Sequence, residues 1–176
     1  SSTNSGPYCV GDTIQLSITT QAGATYSWTG PDNFTSNEQN PTIPNCTFEM
    51  GGIYTCVTTV DGQTTTGSTE VIVYAQPIAD FSFNNVCEGS ATQLNSTADT
   101  DPSGQEITGY HWDFVDGETA DEPNVTHTYA SPGDYQVTHI VHTGNGHCID
   151  EITKTVSVYA IPQLTISASP SSVIYG

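Results

Sequence analysis

Three acidic side chains surround a Gly and follow a Trp in the stretch YHWDFVDGE (110–118), namely Asp113, Asp116 and Glu118. Glycoside cleavage requires two carboxylates at a set separation across the sugar, one of them with a raised pKa. An acidic residue in a turn more commonly accepts hydrogen bonds from nearby backbone N–H groups, which requires no substrate. We therefore interpret this stretch as a strand that enters a structural turn, and we predict no catalytic residue in it.

A calcium site is the main binding hypothesis for the same region. Hard cations prefer six to eight oxygen ligands from carboxylates, carbonyls and water. The segment ADTDPSGQE (98–106) could bring Asp99 and Asp101 close to Asp113 at one end of a β-sandwich. The spacing differs from that of an EF-hand loop. We therefore name Asp99, Asp101 and Asp113 as the candidate ligands of Ca²⁺, and the sequence indicates no other cofactor.

The histidines offer no obvious chelating pair. Residues three apart on a strand point to opposite faces, so His139 and His142 cannot bind one metal ion together. His139 falls at an inward position, and we expect a buried core histidine there. Serine and cysteine side chains lack a nucleophile-elbow motif or a neighbouring base. The sequence therefore predicts a protein that is not an enzyme.

The elements that position these side chains are predicted to be β-strands. Val, Ile, Thr and Tyr outnumber the strong helix formers, and no stretch has the spacing of an amphipathic helix. In the first half, apolar and polar residues alternate in segments separated by Gly, Pro, Asn and Asp, which is typical of a sandwich. The Asp-Gly pair within VDGQ (60–63) predicts a hairpin turn. The alternating segments are 13–18, 25–30, 52–60 and 68–74.

A repeated junction divides the chain into units. VIVYAQPIADFS (71–82) and VSVYAIPQLTIS (156–167) share V-x-V-Y-A-x-P, and such a recurrence marks a domain boundary. The Pro stiffens a very short linker, so neighbouring units should lie end to end. We expect an all-β chain of two tandem sandwiches, over residues 1–75 and 76–160, with the start of a following β domain at 161–176.

The first unit resembles an immunoglobulin-like domain. The resemblance is carried by GDTIQLSI (11–18), YSWTGP (26–31) and PTIPNCTFEMGGIYTC (41–56), and such domains occur in large surface proteins of Bacteroidetes. It implies that Trp28 fills the core and that Tyr54, two residues before Cys56, is a tyrosine corner. No cysteine lies around Leu16, so the usual bridge between the sheets cannot form.

The second unit resembles a PKD domain, which is also a β-sandwich. ITGYHWDFVDGE (107–118) followed by HTYASPGDYQVTHIV (127–141) is similar to the family signature W-D-F-G-D-G … H-x-Y-x-x-P-G-x-Y-x-V. Val115 replaces the first Gly of that signature. Some PKD domains bind Ca²⁺ near this position, which the resemblance extends to the candidate site above. The motif residues that it implies are structural: Trp112, Asp113, Asp116, His127, Tyr129 and Tyr135.

Five cysteines, an odd number, predict at least one free thiol or an external bond. If the strands alternate in direction, Cys87 and Cys148 lie at opposite ends of the second unit, about 20 Å apart, which is too far for a disulfide. Cys9 could reach Cys148 across the junction, and Cys87 could then reach a following domain. A Cys87–Cys148 bond remains the alternative, since such cysteines often occur together in similar domains. Cys46 and Cys56 should point inward, as free thiols or as a bridge.

Charge and modification motifs indicate where the protein acts. Nineteen acidic residues oppose a single basic one, for a net charge of −18, which disfavours binding to nucleic acids or anionic membranes. No run approaches the roughly 18 apolar residues needed to cross a bilayer. The triplet Asp12-Thr13-Ile14 resembles an O-glycosylation motif of Bacteroidetes, with Thr13 as the acceptor on the outward face.

These observations lead to one functional expectation and one alternative. We expect a non-enzymatic structural or adhesive segment of a long extracellular surface protein or filament, such as an adhesin or a gliding-related protein. Its partners would be neighbouring repeats of the chain, glycans or proteins of a cell surface or matrix, or laterally assembled copies. The alternative is an accessory module of a secreted hydrolase that binds carbohydrate or protein.

Overall fold

Alternating apolar side chains build two β-sandwiches in the computed structural model, which describes residues 1–100 and 105–167. The regular elements of this part of the chain are β-strands and two short 3-10 turns, at Phe48–Met50 and Gly144–Gly146. The all-β prediction is therefore confirmed. No helix in the described ranges is long and apolar enough to cross a membrane.

The first sandwich contains nine strands. One sheet has the order β1-β3-β6 and the other β5-β4-β7-β8, while β2 pairs in parallel with β9. Antiparallel neighbours joined by short turns account for most of the pairing. The strands are β1 Ser2–Asn4, β2 Tyr8–Cys9, β3 Ile14–Ile18, β4 Thr25–Thr29, β5 Thr35–Ser36, β6 Thr42–Ile43, β7 Gly52–Val60, β8 Gln63–Val71 and β9 Val73–Tyr74.

The core of this sandwich follows from the period-two pattern. Ile14 and Leu16 point inward from β3, and Trp28 is fully buried between the sheets, as predicted. The Tyr54 hydroxyl donates a hydrogen bond to the Met50 carbonyl at 2.9 Å, which is the tyrosine-corner contact. Burial raises the pKa of Tyr54 to about 12, so the phenol stays protonated and keeps this bond.

The second sandwich contains ten strands within residues 76–100 and 105–160. Its sheets have the orders β11-β13-β17 and β12-β19-β18-β15-β16, and β10 pairs with β14. The two longest strands of the larger sheet, β18 and β19, pair with each other as an antiparallel hairpin. The strands are β10 Pro77–Ile78, β11 Phe81–Phe83, β12 Val86–Cys87, β13 Thr92–Ser96, β14 Asp99–Thr100, β15 Gly109–Asp113, β16 Thr119–Ala120, β17 Asn124–His127, β18 Gly133–Thr143 and β19 Cys148–Tyr159.

Aromatic residues dominate the second core. Phe81 packs edge-on against Trp112, with ring centroids 5.1 Å apart. Tyr129 stacks on Tyr135 at 3.7 Å, and the Tyr135 hydroxyl donates to the Ser131 carbonyl at 2.8 Å. The second sandwich therefore also has a tyrosine corner. As with Tyr54, the hydroxyl bonds to the carbonyl of the residue four positions earlier.

The two sandwiches are joined by a very short connection. Only Ala75 and Gln76 separate β9 from β10. Ala75 is fully buried, so the connection is packed rather than extended into solvent. Residues 161–167 form no strand, and residues 168–176 lie outside the described ranges, so the expected start of a following domain stays a prediction.

Candidate functional site

The acidic turn after β15 forms hydrogen bonds to its own backbone. The Asp113 carboxylate accepts a hydrogen bond from the Val115 N–H at 2.8 Å. The Asp116 carboxylate accepts one from the Glu118 N–H at 3.2 Å. These are the side-chain to backbone contacts that stabilise tight turns. Asp113 and Asp116 therefore bracket the turn, as the sequence predicted.

His127 ties this turn to the neighbouring sheet. Its Nε2 donates to Asp116 Oδ2 at 2.7 Å, and Glu118 lies 3.5 Å from Nδ1. The ring also stacks on Phe114, with centroids 4.2 Å apart. Partial burial opposes ionisation of Asp116, but hydrogen bonds from His127 and the Glu118 N–H hold its pKa below the usual value. Asp116 therefore stays ionised at neutral pH and orients the ring.

The described contacts of the turn are those of a structural clamp. Tyr129 lies beneath it, with its ring 4.5 Å from that of His127. Burial raises the pKa of Tyr129 well above the ordinary value, so the hydroxyl is protonated. A general acid for glycoside cleavage needs a carboxyl with a raised pKa, whereas that of Asp116 is lowered.

Val115 adopts a conformation that suits glycine better. Its φ is +69°, a region that costs a β-branched residue about 1–3 kcal/mol. Its side chain is 59% exposed and contributes little to the core. A Gly at this position, as in the signature that the segment resembles, would adopt the same φ without that cost.

We expect Val115→Gly to stabilise the second sandwich by about 1 kcal/mol, because strain relief exceeds the added entropy of the unfolded chain. Equilibrium denaturant unfolding measures the change. Val115→Thr is the matched control, since it keeps the β-branched shape and should leave stability unchanged. A loss of stability in the glycine variant would contradict the strain argument.

His139 is fully buried on the inner face of β18, as predicted. Its ring stacks on Trp112 with centroids 3.7 Å apart. Nε2 lies 2.9 Å from the Ser96 hydroxyl and Nδ1 lies 3.4 Å from the His111 carbonyl. Burial lowers the pKa of His139 to about 4. The imidazole is therefore neutral at physiological pH and serves as a hydrogen-bonded core residue.

The structure does not bring Asp99 and Asp113 together. Asp99 pairs with Ile78 beside the connection between the sandwiches. Gly109 begins β15 at the end nearer this connection, and Asp113 is the last residue of the strand. Asp113 therefore lies about 13 Å farther along the strand than Gly109. Asp101 lies outside the described residues. Within residues 1–100 and 105–167, no three His, Cys, Asp or Glu side chains lie close enough to hold a metal ion.

The cysteines have three different environments. Cys9 and Cys148 form a disulfide, with Cα atoms 5.7 Å apart, whereas Cys87 is an exposed free thiol. Cys46 and Cys56 are buried free thiols. Burial, assisted by the nearby Asp12 carboxylate, raises the pKa of Cys46, which keeps that thiol protonated and unreactive.

The disulfide crosses the junction between the sandwiches, where further contacts fix the connection. The Thr143 hydroxyl donates to the Ala75 carbonyl at 2.6 Å, and Gln105 Oε1 accepts from the Ala75 N–H at 2.7 Å. Both polar backbone groups of this buried residue are thus satisfied by the second sandwich. The junction is therefore a built interface and the best-defined candidate functional site.

An aromatic contact completes the junction. Tyr74 lies parallel to the His147 ring, with centroids 5.8 Å apart. It also covers Gly144, where an added Cβ would lie 2.4 Å from a Tyr74 ring carbon and where φ is +58°. The sequence pattern alone predicted no role for these three residues. Tyr74 lies within the repeated V-x-V-Y-A-x-P motif, and this recurrence was the sequence signal that could have indicated its role at the junction.

Thr13 is exposed immediately before β3, while Ile14 points into the core. A modifying enzyme could therefore reach its hydroxyl. Glycosylation at Thr13 stays a prediction.

Comparisons with known proteins assign a family resemblance to the second half of the chain. The PKD domain family model matches residues 74–158. The chain is 31% identical over 144 residues to Collagenase ColA of Clostridium perfringens, covering 81% of the chain and 12% of the collagenase. It is 41% identical over 68 residues to human Polycystin-1, covering 36% of the chain and 2% of that protein. The chain thus spans a small part of each of these relatives.

A solved structure supports the tandem arrangement. Extracellular domains 3–5 of Drosophila OTK superpose with a TM-score of 0.62, covering 92% of this chain and 60% of that one. The sequences are 13% identical, so the similarity concerns the fold alone. Two consecutive Ig-like sandwiches are consistent with this match.

Proposed function

We propose, from the premise that residues 74–158 form a PKD domain, that this chain is a non-enzymatic structural segment of a long extracellular protein. In this proposal the two sandwiches act as one stiff spacer of a surface stalk, adhesin or filament. Binding surfaces elsewhere on the same protein would be held at a defined distance from the cell.

The locked junction is the observation that carries this proposal. A two-residue connection, a disulfide between Cys9 and Cys148, and hydrogen bonds to both backbone groups of Ala75 restrict motion between the sandwiches. Domains joined only by a linker normally move relative to one another. A chain that serves only to tether would not need these contacts.

Redox chemistry and charge favour the extracellular setting. Disulfides persist in oxidising compartments and are rare in the cytosol of most organisms. With one basic residue, Lys154, the chain has a single site for trypsin-like proteases, which suits a protein exposed outside the cell. The resemblance to Bacteroidetes surface proteins supports export and a role in adhesion or gliding.

Alignment of the two sandwiches in solution tests the spacer proposal. Residual dipolar couplings measured on the oxidised chain should fit one alignment tensor for both sandwiches. Two independent tensors would show a flexible pair of domains and would contradict the proposal. A hydrolysis assay of the purified chain on polysaccharide and protein substrates should show no turnover.

A second candidate function is an accessory module of a secreted hydrolase. The 31% identity to Collagenase ColA favours it. A carbohydrate-binding surface would need exposed aromatic rings, but Trp28 and Trp112 are both fully buried. Co-sedimentation with insoluble collagen and with insoluble polysaccharides tests this function. Saturable binding to either material would favour the module over the spacer.

A further inference from the structure

The far end of the second sandwich repeats the structure that surrounds Cys9. Cys9 pairs with Tyr74 between the parallel strands β2 and β9. Cys87 pairs with Tyr159 between the parallel strands β12 and β19. We refer to Cys9 with Tyr74 as the first platform and to Cys87 with Tyr159 as the second platform.

Backbone hydrogen bonds match between the two platforms. The residue after each cysteine donates to the carbonyl of the paired tyrosine, at 2.9 Å for Val10 and 2.8 Å for Glu88. The third residue after each cysteine donates back to the cysteine carbonyl, at 2.9 Å for Asp12 and 3.0 Å for Ser90. The backbone around Cys87 therefore forms the same hydrogen bonds as the backbone around Cys9. Each cysteine ends a short strand and begins the same kind of turn.

The first platform has a known occupant, the hairpin that joins β18 to β19. Gly144 lets the hairpin backbone approach the Tyr74 ring, and His147 lies parallel to that ring. Cys148 then bonds to Cys9. The platform is thus complementary to a hairpin with a glycine followed, four residues later, by a cysteine.

The second platform is uncovered within the described residues. Cys87 is a free, exposed thiol, and the Tyr159 side chain is 56% exposed, whereas Tyr74 is half-buried beneath its hairpin. Tyr-Ala-x-Pro follows both platforms in the sequence, at 74–77 and 159–162. The same short connection therefore leads away from each tyrosine.

We propose that the second platform binds the equivalent hairpin, between the last two strands, of a further sandwich domain in the same chain and that Cys87 forms a disulfide with the cysteine of that hairpin. The two thiols lose two protons and two electrons, and a low-molecular-weight disulfide such as oxidised glutathione accepts them and becomes two thiols. This inference deepens the proposed spacer function, on which it rests, because it adds a covalent bond at the next junction.

The experiment supplies the missing domain from the chain itself. A second copy of residues 76–160 is inserted after Ala160, which recreates the Tyr-Ala-Gln-Pro connection of the first junction. The added copy carries Cys87→Ser, so only the original Cys87 remains, and Ile149→Val, which marks the peptide of its Cys148. The extended chain is oxidised in a glutathione buffer, and non-reduced peptides are identified by mass spectrometry.

We expect the original Cys87 linked to the marked Cys148 in most molecules, together with the Cys9–Cys148 bond of the first junction. The Cys9 bond serves as an internal control for folding and for the oxidant. If that bond forms while Cys87 remains open to alkylation, the proposal is wrong. The spacer proposal, which is measured on the unextended chain, would be unaffected by that result.

A platform variant separates docking from random thiol oxidation. Tyr159→Ala removes the exposed ring but keeps both thiols, and its exposure makes misfolding a minor concern. We expect most of the Cys87 bond to be lost in this variant while the Cys9 bond persists. An undiminished yield of the Cys87 bond would show that the ring does not guide the hairpin and would overturn the platform argument.

Discussion

Cys9→Ser should lower the free energy of unfolding of the oxidised protein by about 4–5 kcal/mol. The disulfide joins residues 139 positions apart, and closing a loop of this length removes that much chain entropy from the unfolded state in the usual model. The loop contains most of both sandwiches, so unfolding either one is opposed. Chemical denaturation with and without a reductant measures the effect.

Cys87→Ser is the matched control for this prediction. It also removes one thiol, but the thiol is exposed and unbonded, so stability should change by less than about 0.5 kcal/mol. A reductant should destabilise the wild-type protein and the Cys87 variant alike, and leave the Cys9 variant unchanged. Equal stability of all three proteins under oxidising conditions would mean that the bond contributes nothing to folding.

The second large effect is acid destabilisation through His139. The pKa of this side chain is about 4 in the folded protein and 6.5 in the unfolded chain. Between these values the unfolded chain binds a proton that the folded protein excludes, so stability falls as the pH drops. The contribution is fully present above pH 6.5 and is lost progressively down to pH 4, by about 3 kcal/mol in total.

His139→Gln should remove this part of the pH dependence, because an amide does not titrate in this range. Unfolding followed by fluorescence at pH 7 and at pH 4 gives, for each protein, the difference in the free energy of unfolding between the two pH values. This difference, rather than the absolute stability, tests the prediction. His142→Gln, on the opposite face of the same strand, is the control and should keep the wild-type difference. If the glutamine variant does not fold, His139→Phe replaces it, and an unchanged difference in either variant would contradict the assignment.

The sequence predicted the features that depend on local pattern. Alternation located β3, β4 and β7. The Asp-Gly hairpin is present, with positive φ at both Asp61 and Gly62. These features were accessible because side-chain direction on a strand depends on sequence position alone.

Features that depend on how separate strands meet were harder to predict. The stacking of His139 on Trp112 requires the register that pairs these two residues between β15 and β18, which no local signal specifies. The approach of Asp99 to Asp113 was expected from a shared end of the sandwich, but strand length separates them. The second tyrosine corner, at Tyr135, was missed because no cysteine follows two residues later, as Cys56 follows Tyr54.

The position of the Cys9–Cys148 bond has a consequence for stretching. When the chain is pulled from its two ends, tension passes from Cys9 directly to Cys148, and the segment between them carries none of it. The fully unravelled chain would then extend to roughly 130 Å instead of roughly 610 Å, at about 3.5 Å per residue. Most of the polypeptide becomes hidden length that only reduction of the bond can release.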